Sequence, residues 1–177
     1  MKNPKNPPQL PEIEKPHPKS FSENPKDRGR KIKKEFEEQV VQIDRVTRVV
    51  AGGKRLRFRA IVVIGNKLGK VGLGVAKAND VVSAVAKAKN SAKKHLISAP
   101  IKNDTIPHEI YQTYGSAKIL LKPAAPGTGI IAGGPVRIVA NLAGIKNILG
   151  KILGSSGKIN NLKAIILALT NLAKREK

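Results

Sequence analysis

Polar and apolar residues alternate over residues 55–60 and then give way to a continuous apolar run at residues 61–64. Because successive side chains of a β-strand point to opposite faces, the alternation predicts a strand with one cationic and one apolar face. The cationic face carries Arg55, Arg57 and Arg59, and the apolar, core-facing side carries Leu56, Phe58 and Ala60. The apolar run predicts burial on both faces at the end of this strand.

The neighbouring segments complete a first unit of three strands and a helix. Residues 39–50 are rich in β-branched residues, 51–53 form a glycine turn, and 70–75 form a short strand that contains glycine. Asn79 or Asp80 is placed to cap a helix that runs to about residue 97. Its apolar stripe comprises Val81, Val85, Ala88, Ala92 and Leu96.

A second unit follows with strands and helices of its own. Two strands are predicted around a Gly-Ser turn at 115–116, and a helix over 135–144 that begins near a proline and ends at a glycine. Residues 147–153 fit either a strand or a helix. Asn160 or Asn161 is placed to cap a last helix.

Composition divides the chain into three parts. Residues 1–34 hold seven of the twelve prolines and ten Lys or Arg against four Asp or Glu. Such a segment buries too little apolar surface to offset its ordering entropy, so we predict a disordered basic extension, either a solubilising tail or an arm that orders on RNA. The other parts are an N-terminal domain over 35–103 and a C-terminal domain over 104–177, which together make an α+β protein.

The part that should fold carries nearly all of the excess charge. The chain has 34 Lys and Arg against 12 Asp and Glu, a formal net charge of +22, and 24 of the cations but only four acids follow Asp44. A compact unit charged in this way repels itself without a polyanionic partner, which favours nucleic acid over an anionic membrane. The longest apolar run has six residues, whereas a membrane-spanning helix needs about 20. Because the N-terminus also lacks the apolar core of a secretory signal, we expect a cytoplasmic protein.

Glycine-rich stretches and histidines do not assemble an enzyme. Residues 65–71 (GNKLGKV) are one residue short of a phosphate-binding loop and lack its hydroxyl, and the glycines after residue 126 break the dinucleotide pattern. The stretch 126–137 (PGTGIIAGGPVR) is comparable to a loop of GHMP-type kinases, but tight turns and close backbone packing are the favoured interpretation. The histidines at 17, 95 and 108 are isolated, and there is no cysteine. We therefore predict no catalytic residue, metal or cofactor.

Cations on the first unit instead indicate RNA binding. They concentrate on the predicted hairpin and the following helix, with no acidic cross-strand partner evident nearby. Aromatic platforms for single-stranded bases are nearly missing, so we expect structured RNA, read by its shape and phosphates. The candidate RNA-binding residues are Arg48, Gly52, Gly53, Lys54, Arg55, Arg57, Arg59, Lys70, Lys77, Lys87, Lys93 and Lys94.

Several segments closely resemble the bacterial small-subunit ribosomal protein S5 family, also called universal S5. They are RVTRVVAGGKRLRFRAIVVIGNKLGKVGLGVAKANDVVSAVAKAKNSAKKHLI, TIPHEI and LLKPAAPGTGIIAGGPVRIVANLAGI, and the resemblance covers about residues 38–174. It implies an N-terminal domain similar to the double-stranded-RNA-binding fold and a C-terminal α+β domain with a left-handed βαβ crossover.

The resemblance also implies a function and partners. It implies a structural constituent of the small ribosomal subunit that binds ribosomal RNA through the hairpin and neighbours ribosomal proteins S4 and S8. Gly129 and Arg137 match the family segment that faces S4 and influences decoding accuracy, and the family helps to line the messenger RNA entrance. Residues 154–163 (GSSGKINNLK) depart from the family pattern. The alternative function is that of a free-standing double-stranded RNA chaperone or regulator.

Overall fold

The computed structural model describes the backbone of residues 36–175 and the side chains of residues 36–172. Within that range the chain forms two four-stranded sheets and three helices. The predicted extension over 1–34 lies outside the described residues. The elements are β1 (Glu37–Val50), β2 (Gly53–Gly65), β3 (Lys70–Ala78), α1 (Val81–Lys94), β4 (Leu96–Ser98), β5 (Ile110–Tyr114), β6 (Ala117–Pro123), β7 (Ile130–Ala132), α2 (Gly134–Ala143), β8 (Ile148–Ile152) and α3 (Lys158–Arg175).

The first sheet is antiparallel with strand order β1-β2-β3-β4, and both of its faces are covered around the apolar run of β2. Val62 and Ile64 point to α1, whereas Ile61 and Val63 point to the core shared with the second half of the chain. All four side chains have no solvent exposure. The prediction of burial on both faces is confirmed.

Helix α1 approaches β3 backbone to backbone. A Cβ at Gly74 would lie 1.9 Å from the carbonyl oxygen of Ala88, so this strand position can hold only a glycine without displacing the helix. The facing residues of α1 are correspondingly small: Ala84, Ala88 and Ala92 are its buried side chains.

The ends of α1 follow from its cap and from strand pairing. The side chain of Asp80 caps the helix by accepting a hydrogen bond from the Val82 N–H at 3.2 Å, as predicted. The predicted end near residue 97 is wrong. Ile97 lies in β4 and pairs with Val71. The helix ends earlier because the backbone of this segment forms strand hydrogen bonds with the edge of β3 instead.

The second sheet has strand order β5-β6-β8-β7, and α2 and α3 cover one of its faces. The hairpin around 115–116 is present as predicted, and residues 147–153, undecided from sequence, contain the strand β8. Strands β7 and β8 are parallel and joined through α2, which is the βαβ connection that the resemblance implies. The left-handed sense of this crossover stays a prediction. Helix α2 has a proline in its first turn and ends at Gly144 with φ +90°, as predicted.

Helix α3 begins before the predicted cap. Its first residue is Lys158, and Asn161 is already inside the helix, where its N–H donates to the Gly157 carbonyl at 3.0 Å. The Asn161 side chain is buried and donates to the Ser155 carbonyl at 3.1 Å. The prediction of Asn160 or Asn161 as the cap is wrong because Asn161 ties the preceding loop to the helix instead.

The two halves join through the turn between β2 and β3. The N–H groups of Lys67 and Gly69 donate to the carbonyls of Leu142 and Ala143 at the end of α2, at 3.0 and 2.8 Å. A Cβ at Gly144 would lie 2.2 Å from the Lys67 carbonyl oxygen, so glycine is required for this approach. One hydrophobic cluster contains buried residues of both halves. The boundary between separate domains at 103 and 104 stays a prediction.

Candidate nucleic-acid interface

The β1–β2 hairpin extends beyond the rest of the first sheet. β3 pairs with β2 from Phe58 onward, so residues 53–57 pair with residues 46–50 alone. At about 3.3 Å per residue, this two-stranded projection, which we call the ribbon (residues 46–57), reaches about 16 Å past β3. Its apolar side chains face solvent, since Leu56 is 51% exposed. The predicted core-facing position of Leu56 is therefore wrong, because β3 does not extend alongside the ribbon.

The tip of the ribbon is built from glycine. A Cβ at Gly52 or Gly53 would meet no atom within 4 Å, so the tip is sterically open. Gly53 has φ +136°, a conformation that side-chain-bearing residues rarely adopt. The sequence Gly-Gly thus permits the tight connection, and the methyl group of Ala51 is the only side chain between the paired residues Val50 and Gly53.

One face of the ribbon forms a cationic cleft of about 230 Å³. Arg48 and Arg55 lie directly opposite each other, and Arg57 follows on the same face. Lys77 of β3 also lines this cleft, as does Thr47, which sequence reasoning did not single out. Opposed like charges destabilise a strand pair, and no carboxylate within residues 36–172 forms a salt bridge with these four cations. The cleft is suited to an anionic group.

Arg59, the third predicted arginine of β2, has a partner inside the protein. Its Nε and Nη2 donate to Asp44 Oδ2 at 3.0 and 2.7 Å, and Gln42 donates to the other carboxylate oxygen. The hydrogen bonds from Arg59 and, to a lesser extent, from Gln42 lower the pKa of Asp44. The prediction that the arginines lack acidic cross-strand partners is wrong for Arg59, because the register places Asp44 directly opposite it.

The other predicted RNA-binding cations do not converge on the cleft. Lys54 is opposite Val49, on the other face of the ribbon. Lys70 begins β3, about 23 Å from Lys77 at about 3.3 Å per residue. Three lysines are exposed on α1, which covers the sheet face opposite to the cleft: Lys87, Lys93 and Lys94. The structure therefore separates the predicted set into a ribbon group, an α1 group and Lys70 at the start of β3.

The glycine-rich loop before α2 is held by an asparagine side chain. Asn147 is 6% exposed, and its Oδ1 accepts hydrogen bonds from the N–H groups of Gly127 and Gly129 at 3.1 and 3.0 Å. Both glycines have positive φ, +89° and +74°. Two backbone donors that a phosphate cradle would need are thus already engaged, which supports the turn-forming interpretation over the kinase-like one.

Arg137 lies in the first turns of α2, at a second surface. It is exposed and lines an open cleft of about 510 Å³ together with Lys67, Asn141 and Lys146. Two of these cations are already paired, Lys67 with Glu37 at 2.6 Å and Lys146 with Asp104 at 3.1 Å. Arg137 is the cation of this cleft for which no carboxylate in the described part of the chain forms a salt bridge.

Other kinds of site find little support in residues 36–172. His95 is exposed and its Nδ1 lies 2.9 Å from the Ser91 carbonyl oxygen, while His17 falls outside the described residues. No group of three or more potential metal-ligating side chains occurs in the described range. Its helices include none with the length and apolar character to cross a membrane.

Two sequence models of one protein family match the chain. The model for the N-terminal domain of ribosomal protein S5 matches residues 36–100, and that for the C-terminal domain matches residues 112–177. The chain belongs to the ribosomal protein S5 family. The resemblance drawn from the sequence is confirmed, as is the prediction that the protein is not an enzyme, since the S5 family is structural and non-enzymatic.

Relatives named as small ribosomal subunit proteins match over most of the chain. A small ribosomal subunit protein uS5 of Picosynechococcus sp. is 58% identical over 138 residues, which are 77% of this chain and 80% of the relative. The uS5 of Nostoc punctiforme is 54% identical over 151 residues, covering 83% and 86%. The protein uS5c of Pyropia yezoensis is 54% identical over 138 residues, covering 77% and 79%. The S5 chain is thus a structural protein of the small ribosomal subunit, with ribosomal RNA and other ribosomal proteins as partners.

Proposed function

We propose that the ribbon anchors the protein to small-subunit ribosomal RNA by binding backbone phosphates in its cationic cleft. The carrying observation is the convergence of Arg48, Arg55, Arg57 and Lys77 on one cleft without a carboxylate from the described residues. Arginine presents a rigid fork of donors that matches phosphate geometry, so three arginines on one face suit a polyphosphate backbone better than a single small anion.

The proposed contact reads structured RNA rather than exposed bases. The ribbon face with the cations carries no aromatic side chain for base stacking, and Phe58 lies on the opposite face, partly buried against the α1 cluster. A ribbon that projects about 16 Å from the sheet can reach between RNA helices while the body stays outside.

Arg59 has a different role in this proposal. Its ion pair with Asp44 lies at the base of the ribbon, where it fixes the direction of the projecting strands. Lys54 and the α1 lysines, Lys87, Lys93 and Lys94, form further RNA contacts outside the cleft, and Lys70 supports them at the other end of β3.

Finer assignments are part of the same proposal, and the family resemblance supports them. Gly129 and Arg137 contact ribosomal protein S4 and so influence decoding accuracy, S8 is a second neighbour, and the protein lines part of the messenger RNA entrance of a cytoplasmic ribosome. The exposed Arg137 beside an open cleft supports this assignment.

A salt titration tests the cleft. The variant Arg48→Ala/Arg55→Ala/Arg57→Ala should bind small-subunit ribosomal RNA more weakly, because three phosphate contacts are lost. The logarithm of the RNA association constant falls linearly with the logarithm of the salt concentration. The steepness of this slope should decrease by about 2 to 2.7, at about 0.7–0.9 per phosphate contact. Lys118→Ala/Lys122→Ala/Lys151→Ala on the second sheet removes the same charge and should leave the slope nearly unchanged. Equal changes in the two variants would show a general charge effect and contradict the cleft.

A further inference from the structure

The cleft that contains Arg137 is lined by two segments that α2 separates in sequence. Ile130, directly after Gly129, lines it before the helix, and Lys146 lines it after the helix. The next residue, Asn147, is 6% exposed and does not itself line the cleft. Its side chain therefore acts on the cleft through the segments that it holds.

The glycine-rich loop before α2 depends on Asn147 for its place in the fold. Residues 125–128 form a turn in which the last N–H donates to the first carbonyl at 3.2 Å. Pro126 followed by Gly127 with φ +89° is the residue pair typical of a type II turn. Asn147 Oδ1 accepts hydrogen bonds from the N–H groups of Gly127 and Gly129 at 3.1 and 3.0 Å. The turn thus sets the local shape of the loop, and Asn147 attaches the loop to the start of β8.

A second turn supports Asn147 from behind. The Asp104 carbonyl accepts hydrogen bonds from the N–H groups of Lys146 and Asn147, both at 3.0 Å, and the Asp104 side chain accepts one from Lys146 Nζ at 3.1 Å. Asn103 and Asp104 have φ +54° and +63°, a left-handed conformation that Asn and Asp adopt more readily than most other residues. This turn fixes the backbone at 146–147, so the Asn147 amide starts from a fixed position.

No other group in the described part of the chain replaces the Asn147 amide. Within residues 36–172, the N–H groups of Gly127 and Gly129 donate to Asn147 Oδ1 alone. The Gly129 carbonyl accepts from the Ile148 N–H at 3.1 Å. Loss of the Asn147 acceptor would leave both N–H groups to solvent and would leave Gly129 with the single hydrogen bond from Ile148.

Asn161 provides an internal comparison. It is 1% exposed, and its side chain also holds a loop, by donating to the Ser155 carbonyl at 3.1 Å. Neither of these two residues lines the Arg137 cleft. Substitution of either asparagine therefore removes hydrogen bonds of a buried amide, but only substitution of Asn147 removes support from Gly129.

We propose that Asn147 is a positioning residue for decoding accuracy, because it holds Gly129 and the loop beside the Arg137 cleft in the shape that contacts ribosomal protein S4. This inference rests on the proposed contact of Gly129 and Arg137 with S4. It adds a buried residue that affects accuracy through an acceptor oxygen rather than by touching S4.

Misreading by purified ribosomes tests the proposal. Ribosomes whose S5 is the full-length Asn147→Ala variant should misread near-cognate codons at a changed frequency, in the same direction as ribosomes with Arg137→Ala. One net hydrogen bond corresponds to a factor of about 2 to 10 in an equilibrium constant, so we expect a change of about that size. Asn147→Asp keeps an acceptor oxygen and should restore a frequency close to that of the parent. A failure to restore it would contradict a role for the acceptor.

Amide hydrogen exchange in the full-length chain reports on the loop directly. In Asn147→Ala, the amides of Gly127 and Gly129 should exchange about 2 to 10 times faster, while those of α3 stay unchanged. Asn161→Ala is the matched control and should leave both the Gly129 amide and the misreading frequency unchanged. An equal change of misreading in the two alanine variants would show general destabilisation and overturn the proposal.

The Arg137→Ala ribosomes separate this inference from the function on which it rests. If Arg137→Ala changes misreading and Asn147→Ala does not, the inference fails while the proposed S4 contact stands; if neither changes it, both fail. If Asn147→Ala does not enter small subunits, Gly127→Ala replaces it. Its Cβ would meet no atom within 4 Å, but φ +89° is unfavourable for alanine, so it perturbs the same loop from the exposed side. It should change misreading in the same direction, and an unchanged frequency would overturn the proposal.

Discussion

Replacing Arg59 should affect stability rather than RNA binding. In the folded protein, Arg59 donates two hydrogen bonds to one oxygen of Asp44, with the two side chains 31% and 21% exposed. Exposed ion pairs contribute about 0.2–1 kcal/mol, and the good geometry and partial burial favour the upper end. We therefore expect Arg59→Gln to lower the free energy of unfolding by about 1 kcal/mol, which lowers Tm by about 3 °C for a chain of this size.

The matched variant is Arg57→Gln, two residues away on the same face of β2. No carboxylate in the described residues pairs with Arg57, and its removal relieves repulsion within the cleft, so Tm should stay the same or rise. RNA affinity should fall in this variant, and the dependence of its logarithm on the logarithm of the salt concentration should become less steep by about 0.7–0.9. Arg59→Gln should change that slope much less.

Two measurements decide between these roles. Thermal unfolding of Arg59→Gln, Asp44→Asn and the double variant Asp44→Asn/Arg59→Gln gives the coupling free energy between Asp44 and Arg59, which should be about 1 kcal/mol. Arg57→Gln is unfolded in the same way for comparison. Salt titrations with ribosomal RNA give the slopes. If Arg59→Gln leaves Tm unchanged and reduces the steepness of the salt slope as much as Arg57→Gln does, then Arg59 binds phosphate. That result would refute the interpretation that its ion pair with Asp44 stabilises the base of the ribbon.

Two further predictions concern stability alone. Because the pKa of Asp44 is lowered, chiefly by the Arg59 hydrogen bond, its stabilising contribution is present above the unfolded value of about 3.9 and is lost as pH falls through the lower folded value. Asp44→Asn should thus be less stable than the parent at pH 7 by urea unfolding, and the difference should shrink as pH falls below about 3.9. A difference that does not change with pH would contradict this. Gly74→Ala should cost about 3 kcal/mol, since its Cβ would lie 1.9 Å from the Ala88 carbonyl oxygen. Gly134→Ala, whose Cβ would meet no atom within 4 Å, is the control and should be neutral or stabilising; an equally neutral Gly74→Ala would argue against close packing of α1.

Local signals in the sequence determined much of the fold. Pro135 and Gly144 bound α2 because proline suits a first helical turn and Gly144 adopts φ +90°, both properties of single residues. The apolar run at 61–64 predicted burial on both faces, and the excess of cations predicted a polyanionic partner. The segments that resemble the S5 family were recognisable from the sequence because each of them is contiguous.

Elements whose limits depend on distant partners could not be predicted. The end of α1 is set by the pairing of Ile97 with Val71, and the start of α3 by the tie between Asn161 and the Ser155 carbonyl. One face of the second sheet carries Tyr111, Leu120, Leu149 and Ile131 together only because four separate strands are in register. Nothing in the periodicity of any one strand reports which neighbours it has.

The role of Arg59 shows this division most clearly. Alternation in the sequence determined that Arg55, Arg57 and Arg59 share a face. It did not determine what lies across from them, because that depends on the length of the hairpin loop. With the predicted three-residue turn, Arg45 would lie opposite Arg59, whereas the observed pairing of Val50 with Gly53 places Asp44 there. A difference of one residue in register, decided by the folded hairpin, makes this arginine half of an ion pair while its neighbours remain available for an anion.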